Sequence, residues 1–152
     1  LATCDLITPN ETEFSALLQS HGHGTVEPET IATMPAAALH ALCRALLPGG
    51  SVVVTLGEAG VFVSHAQAHL RGDEAAHYRV VAERVATVDS TGAGDAFNGA
   101  LAAGLALDPA APFATHVRFA SRFAALSTEQ HGAAASMPTA KAVHQRFPAQ
   151  AV

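Results

Sequence analysis

The stretch Val88-Asp89-Ser90-Thr91-Gly92-Ala93-Gly94-Asp95-Ala96-Phe97-Asn98-Gly99 holds the residue types best suited to chemistry. Gly92 and Gly94 flank a small alanine and stand just before an apolar pattern with helical spacing. A small-residue turn that opens a helix exposes several backbone N–H groups, with the positive end of the macrodipole behind them. Such a place receives an anion, either a phosphate or charge that develops during a reaction. Asp95 is out of place if holding a resting anion is the whole task, because its carboxylate repels a phosphate. It fits if Asp95 accepts a proton from a nucleophilic hydroxyl while the N–H groups of Gly92, Ala93 and Gly94 hold a phosphoryl group in transfer. The plainer alternative is an aspartate that caps the helix. The stretch is neither the Gly-x-x-x-x-Gly-Lys-Ser/Thr phosphate loop nor the Gly-x-Gly-x-x-Gly dinucleotide fingerprint.

Such a turn needs a frame to hold it. Asp5–Thr8 reads as a strand running into the Pro9-Asn10 turn, and Thr12–Ser20 has helical spacing at Phe14, Leu17 and Leu18. His21-Gly22-His23-Gly24 breaks that helix, and a polar Thr/Glu/Pro stretch follows. Met34–Leu47 reads as a second helix, with Pro35 in its first turn and Pro48-Gly49-Gly50 stopping it. Ser51–Thr55 is a short apolar β-branched run, the mark of a strand buried on both faces. Gly57–Gly60 is a turn, Val61–Ser64 and Tyr78–Val81 are further strands, and helical patterns then cover Asp95–Leu107, Pro112 to Glu129 and Thr139–Phe147. This order predicts an α/β layered domain with a largely parallel sheet, and fewer strands than a complete sheet needs.

Bulk composition narrows the partners. The 152 residues suffice for one domain with a real core, and 49% hydrophobic against 14% charged residues excludes disorder and a solvated coiled coil. Aromatics are only 5%, so alanine-rich, closely packed helices supply the bulk. Net charge is −5 and the 8 basic residues are scattered, which leaves no basic stripe for a nucleic-acid duplex. No apolar run approaches the roughly 20 residues that span a bilayer, and no basic-then-apolar leader pattern is present. A cytoplasmic protein with no membrane partner is expected. Cys4 and Cys43 are too few for a disulfide framework or a zinc site. His21 and His23 read as a solvated turn.

The residues Asp89–Ala100 resemble the C-terminal signature of the ribokinase-like (PfkB) carbohydrate kinases at twelve consecutive positions. Thr8-Pro9-Asn10-Glu11-Thr12-Glu13 resembles that family's Asn-x-x-Glu motif, in the form ribokinases favour. Val53–Val61 resembles the strand-turn-strand that lines its nucleotide site, and the similarity extends through Gly132-Ala133 to Ser136-Met137-Pro138. The resemblance implies a three-layer α/β/α fold with a mostly parallel central sheet, of which this chain is the C-terminal, nucleotide-binding portion. It implies ATP-dependent phosphoryl transfer to a small sugar, ribose to ribose 5-phosphate being the first expectation. The alternatives are a kinase for fructose, 2-keto-3-deoxygluconate, a nucleoside or another small alcohol, or a nucleotide-binding fragment without turnover.

Roles follow residue by residue from that resemblance. Asp95 is the base for the sugar hydroxyl, and Gly92, Ala93 and Gly94 form the anion hole for the phosphate in flight. Asn10 and Glu13 order Mg²⁺ and its waters, consistent with a hard cation that keeps waters and takes few carboxylates. Thr55, Gly57 and Gly60 belong to the nucleotide site. Ser121 stands near the adenine where ribokinases commonly have Asn, and Arg122 and Phe123 stand where they have small residues. The resemblance also implies a monovalent cation, usually K⁺ in family members near ribokinase, held by the Asp89 side chain and the Thr91 carbonyl. Ser127, Gln130, Gly132 and Ser136 supply its second half, mainly through carbonyls. Family members are roughly twice as long, so a chain that starts at Leu1 is expected to lack the half that bears the lid, most sugar contacts and the homodimer interface.

Overall fold

Val52, Val53 and Val54 have no exposed surface, so the strand that carries them is covered on both faces. Around it lies the first of two units into which the chain divides, with the boundary between Val81 and Ala82. The computed structural model describes residue 1 and residues 3–148.

In the first unit the elements run β1 (Leu6–Ile7), α1 (Glu11–Ser20), α2 (Pro28–Ile31), α3 (Ala36–Leu46), β2 (Ser51–Thr55), β3 (Val61–His65) and β4 (His77–Val80). The sheet order is β1-β2-β3-β4. The parallel pairing expected from the sequence is found between β1 and β2, where Leu6 faces Ser51 and Ile7 faces Val52. The β2–β3 and β3–β4 ladders are antiparallel, so the described sheet is mixed. Chain length explains this: Leu56 to Gly60 is a tight turn, far too short for the crossover that a parallel neighbour requires. α2 stands in the stretch that looked merely polar. Its Pro28 takes a first-turn position, where a missing N–H costs nothing, and Ile31 fastens the single turn to the core. Phe14 and Leu18 of α1, Leu39, Cys43 and Leu46 of α3, and Val52, Val54, Leu56 and Phe62 of the sheet complete that core. Each such large apolar side chain contributes about 1.5–3 kcal/mol by leaving water.

The second unit holds α4 (Ala93–Leu107), α5 (Phe113–Ser127) and α6 (Ala140–Arg146). α4 buries Ala96, Phe97, Ala100 and Leu101, and α5 buries Phe113, His116, Val117 and Ala120. The small residues of α4 let the two helices approach closely. At Gly104 a Cβ would lie 2.8 Å from His116 Nδ1 and 3.3 Å from its Cγ, whereas at Gly99 nothing lies within 4 Å. Gly99→Ala therefore raises stability by about 1 kcal/mol, the ordinary gain at an open helical position. Gly104→Ala goes the other way, because overpacking of about 1–3 kcal/mol exceeds that gain. Thermal midpoints of the two variants check the opposite signs; a rise at both positions overturns this account of the α4–α5 approach. Among the described residues no helix is long and apolar enough to cross a membrane.

Candidate functional site

In the second unit the site begins at a turn. The Ala93 N–H donates to the Ser90 carbonyl at 3.1 Å, and Gly92 has φ 81° and ψ 3°. Those angles are what the third position of a type II turn demands, and a side chain there is strained. Space imposes the same choice: a Cβ on Gly92 would stand 2.9 Å from the Ala133 Cβ and 3.2 Å from its Cα. Gly92 is also the N-cap of α4 and provides no side-chain cap. The Ala96 N–H donates to the Gly92 carbonyl, so the helix is closed from its first turn. Of the three expected donors Ala93 uses its N–H for the turn. The N–H groups of Gly92, Gly94 and Asp95 have no acceptor among the described residues, and at the start of a 15-residue helix they carry the positive end of its dipole.

Asp95 is the third residue of α4, is exposed, and makes no side-chain hydrogen bond among the described residues. It is not the N-cap, so the capping role is not what places it there. An unpaired carboxylate next to free N–H groups can take a proton from a hydroxyl that approaches the same spot.

Asp89 ties this turn to the loop that follows α5. One carboxylate oxygen accepts the Gly132 N–H at 2.9 Å and the other accepts the Thr91 N–H at 2.9 Å. These backbone bonds, first from Gly132 and then from Thr91, hold the carboxyl down at about 2. The Thr128 carbonyl accepts both the Val88 N–H at 2.8 Å and the Asp89 N–H at 3.1 Å. Thr128 is thus an anchor that side-chain reasoning missed; a backbone carbonyl leaves no trace in residue types. Ser136 is buried and donates to the Ala133 carbonyl at 3.0 Å, within the same loop. Among the described residues no donor reaches the carbonyls of Thr91, Gln130 and Gly132, which suits a monovalent cation that takes neutral oxygens. The Ser127 hydroxyl turns back to the Ala124 carbonyl of its own helix. Ser121 is buried in α5, and no hydrogen bond ties it to the turn. Its neighbour Arg122 donates to Glu83 at 2.7 Å and lies over the Phe147 ring at 5.8 Å, so a large residue at this position is accommodated by an ion pair and an aromatic face.

In the first unit β1 and β2 are parallel and end together. There Asn10 bridges Thr55, and the Thr55 N–H donates to the Pro9 carbonyl at 3.0 Å. Asn10 is the N-cap of α1: its side chain accepts the Glu13 N–H at 2.9 Å, while the Glu13 carboxylate accepts the Asn10 N–H at 2.9 Å. This capping box fixes both side chains and leaves the second Glu13 oxygen available at an exposed position. Gly57 and Gly60, at φ 51° and 91°, shape the turn after Thr55, closed by the Leu56 N–H on the Gly60 carbonyl at 2.8 Å. Asn10, Glu13, Thr55, Gly57 and Gly60 thus gather at the carboxyl ends of parallel strands, where open α/β sheets receive ligands.

These features define a class first: an α/β protein with polar groups at the carboxyl ends of parallel strands and a glycine-opened helix whose Gly94 and Asp95 N–H groups have no acceptor among the described residues. Residues 1–140 match the model of the pfkB family carbohydrate kinases, and the chain belongs to that family. It is 34% identical over 140 residues to a ribokinase of Haemophilus influenzae, which covers 91% of this chain and 39% of that protein. The crystal structure of a ribokinase from Thermotoga maritima superposes with a TM-score of 0.75 at 27% identity, over 95% of this chain and 42% of that one. The structure of Arabidopsis thaliana ribokinase complexed with ribose and ATP superposes with a TM-score of 0.64 at 30% identity, over 95% of this chain and 41% of that one. The chain therefore spans about two fifths of the length of the relatives it matches.

Proposed function

We propose that the protein carrying this chain transfers the γ-phosphate of ATP to a hydroxyl of a small sugar, with ribose as substrate. The observation that carries the reading is Asp95, exposed and unpaired on the first turn of a helix whose N–H groups remain free. The sugar hydroxyl gives its proton to the Asp95 carboxylate as its oxygen attacks the phosphorus. The N–H groups at the start of α4 meet the charge on the phosphoryl oxygens as the bond to ADP breaks. Phosphoryl transfer asks little more of a protein than this positioning and charge stabilisation.

Asn10, Thr55, Gly57 and Gly60 take the nucleotide in this reading, with Ser121 on the adenine side. Mg²⁺, when bound, neutralises phosphate charge; Glu13, fixed by its capping box, would hold one of its waters. Asp89 with the carbonyls of Thr91, Ser127, Gln130 and Gly132, and Ser136, would hold K⁺. Support for ribose comes from the relatives, one of which was solved with ribose and ATP. A cytoplasmic setting and a homodimer formed outside this chain complete the reading.

The test is a panel of sugars offered to the whole protein, with ADP release as readout. Ribose is expected to give the highest kcat/KM. No ADP release with any sugar overturns the reaction; a higher value with fructose or a nucleoside replaces the substrate. The 152 residues by themselves are expected to release no sugar-dependent ADP, since the relatives carry this segment in a chain more than twice as long.

A further inference from the structure

In the first unit, α3 and β4 meet through two imidazoles. The His40 and His77 rings stack with centroids 4.4 Å apart and planes inclined by 24°. On the other side of His40, its Nδ1 lies 2.8 Å from the Ser64 hydroxyl of β3. Arg44, one turn along α3, donates from Nε to that same hydroxyl at 3.1 Å and from Nη2 to the Ser64 carbonyl at 3.1 Å. A guanidinium can only donate. The Ser64 oxygen accepts from Arg44, and a hydroxyl keeps both a second lone pair and its own proton for His40 Nδ1, whose role follows its tautomer. In either tautomer a proton on His40 adds a second cation beside the hydroxyl that the Arg44 guanidinium already holds, and against the His77 ring.

The charged groups of the elements packed here do little to welcome that proton. α3 brings Arg44. β4 brings Arg79, which lies over the Phe62 ring at 5.4 Å and donates to the Met34 carbonyl at 2.9 Å. β3 brings His65, bonded to Ser51 at 2.8 Å and to Asp73 at 3.0 Å. The loop before β4 brings Arg71, which donates to Ser51, and Asp73, which also accepts from Tyr78 at 2.6 Å. Asp73, the carboxylate named here, pairs with His65 and accepts from Tyr78.

We propose that the His40–His77 stack is an acid-sensitive latch between α3 and the last strand of the described sheet, closed while both rings are neutral and released when either takes a proton. Burial first, and then the His77 charge, hold the His40 pKa below its ordinary 6.5. The sign follows: the closed state binds fewer protons than the open one. Its stability is whole above the ordinary histidine range and is lost as pH falls below it. The inference does not rest on the proposed reaction.

Hydrogen exchange on the whole protein, corrected for intrinsic pH dependence, tests it. Between pH 7.5 and 5.5, peptides covering residues 36–46 and 77–80 should lose protection by up to about tenfold per pH unit for each proton taken up, while residues 51–55 keep theirs. His77→Phe keeps a stacking ring without a titrating nitrogen, and His40→Gln keeps an acceptor toward Ser64. Both should flatten the pH response of these two peptides. If His77→Phe does not fold, His40→Gln and the NMR titration of the wild-type His40 imidazole decide, with its midpoint expected below 6.5. A wild-type protein with no acid response in these peptides, a folded variant that keeps the full response, or a His40 midpoint at or above 6.5 overturns the latch.

Discussion

On the proposed reaction, Asp95→Asn is expected to lower sugar-dependent ADP release by the whole protein by roughly 10²–10⁴-fold, the contribution of a positioned general base. The change is nearly isosteric and falls on an exposed side chain that makes no hydrogen bond among the described residues. Little structure is therefore at risk. The one local loss is a carboxylate near the positive end of α4, about 0.3–1 kcal/mol. The direction of the binding effect discriminates further. A carboxylate beside the phosphates repels them, so its neutralisation leaves ATP binding intact or tighter while the chemical step fails. kcat should fall with the KM for ATP unchanged or lower, the signature of a group needed only in the transition state. Turnover within a few-fold of wild type, with a normal thermal midpoint, removes Asp95 from the mechanism.

Why Asp95 was legible in the sequence, and parts of its surroundings were not, has a physical answer. An aspartate after Gly-Ala-Gly contradicts a simple anion site, and that conflict is visible in residue types alone. Asn10 and Glu13 are legible as a pair only through the resemblance to the Asn-x-x-Glu motif; the capping box that joins them is a finding of the structure. Thr128 was not legible. It acts through a carbonyl that every residue possesses, accepting the Val88 and Asp89 N–H groups. Ala133 is equally silent, because its part is to stand so close to Gly92 that no Cβ fits between them. Residues that act through backbone or through volume appear only once the chain is folded.

The fold divides along the same line. Phe14 and Leu18 announce α1, and the valines of β2 announce a buried strand, because burial imposes a period or a continuous run. α2 has neither: one turn holds a single core residue, Ile31, and tertiary packing rather than propensity makes it a helix. The helix that the sequence predicts from Asp95 starts at Ala93. A left-handed Gly92 supplies the two extra residues, and the sequence shows only that a glycine stands there. The same shift moves Asp95 from a capping position into the first turn, where its carboxylate is left for chemistry.

Gly92→Ala then becomes the second severe substitution, for reasons unlike those at Asp95. A side chain at φ 81° costs about 1–3 kcal/mol in the left-handed region. The added Cβ, 2.9 Å from the Ala133 Cβ, adds overpacking of about 1–3 kcal/mol unless something moves. Two escapes exist. Ala133 could retreat, but Asp89 binds the adjacent Gly132 N–H and holds that loop. The turn could instead leave the left-handed conformation, which breaks the Ala93 to Ser90 bond and redirects the free N–H groups. Because the second escape removes the N–H donors that the proposed transfer uses, kcat is expected to fall by about 10²–10³-fold, the cost of a lost oxyanion donor. Unlike Asp95→Asn, this variant also melts earlier. Gly94→Ala is the control: no left-handed angle marks it and nothing lies within 4 Å of its Cβ, so its thermal midpoint does not drop. Steady-state kinetics and melting of both variants in the whole protein make the check. If Gly92→Ala melts like Gly94→Ala and retains turnover within a few-fold, the turn does not position the donors.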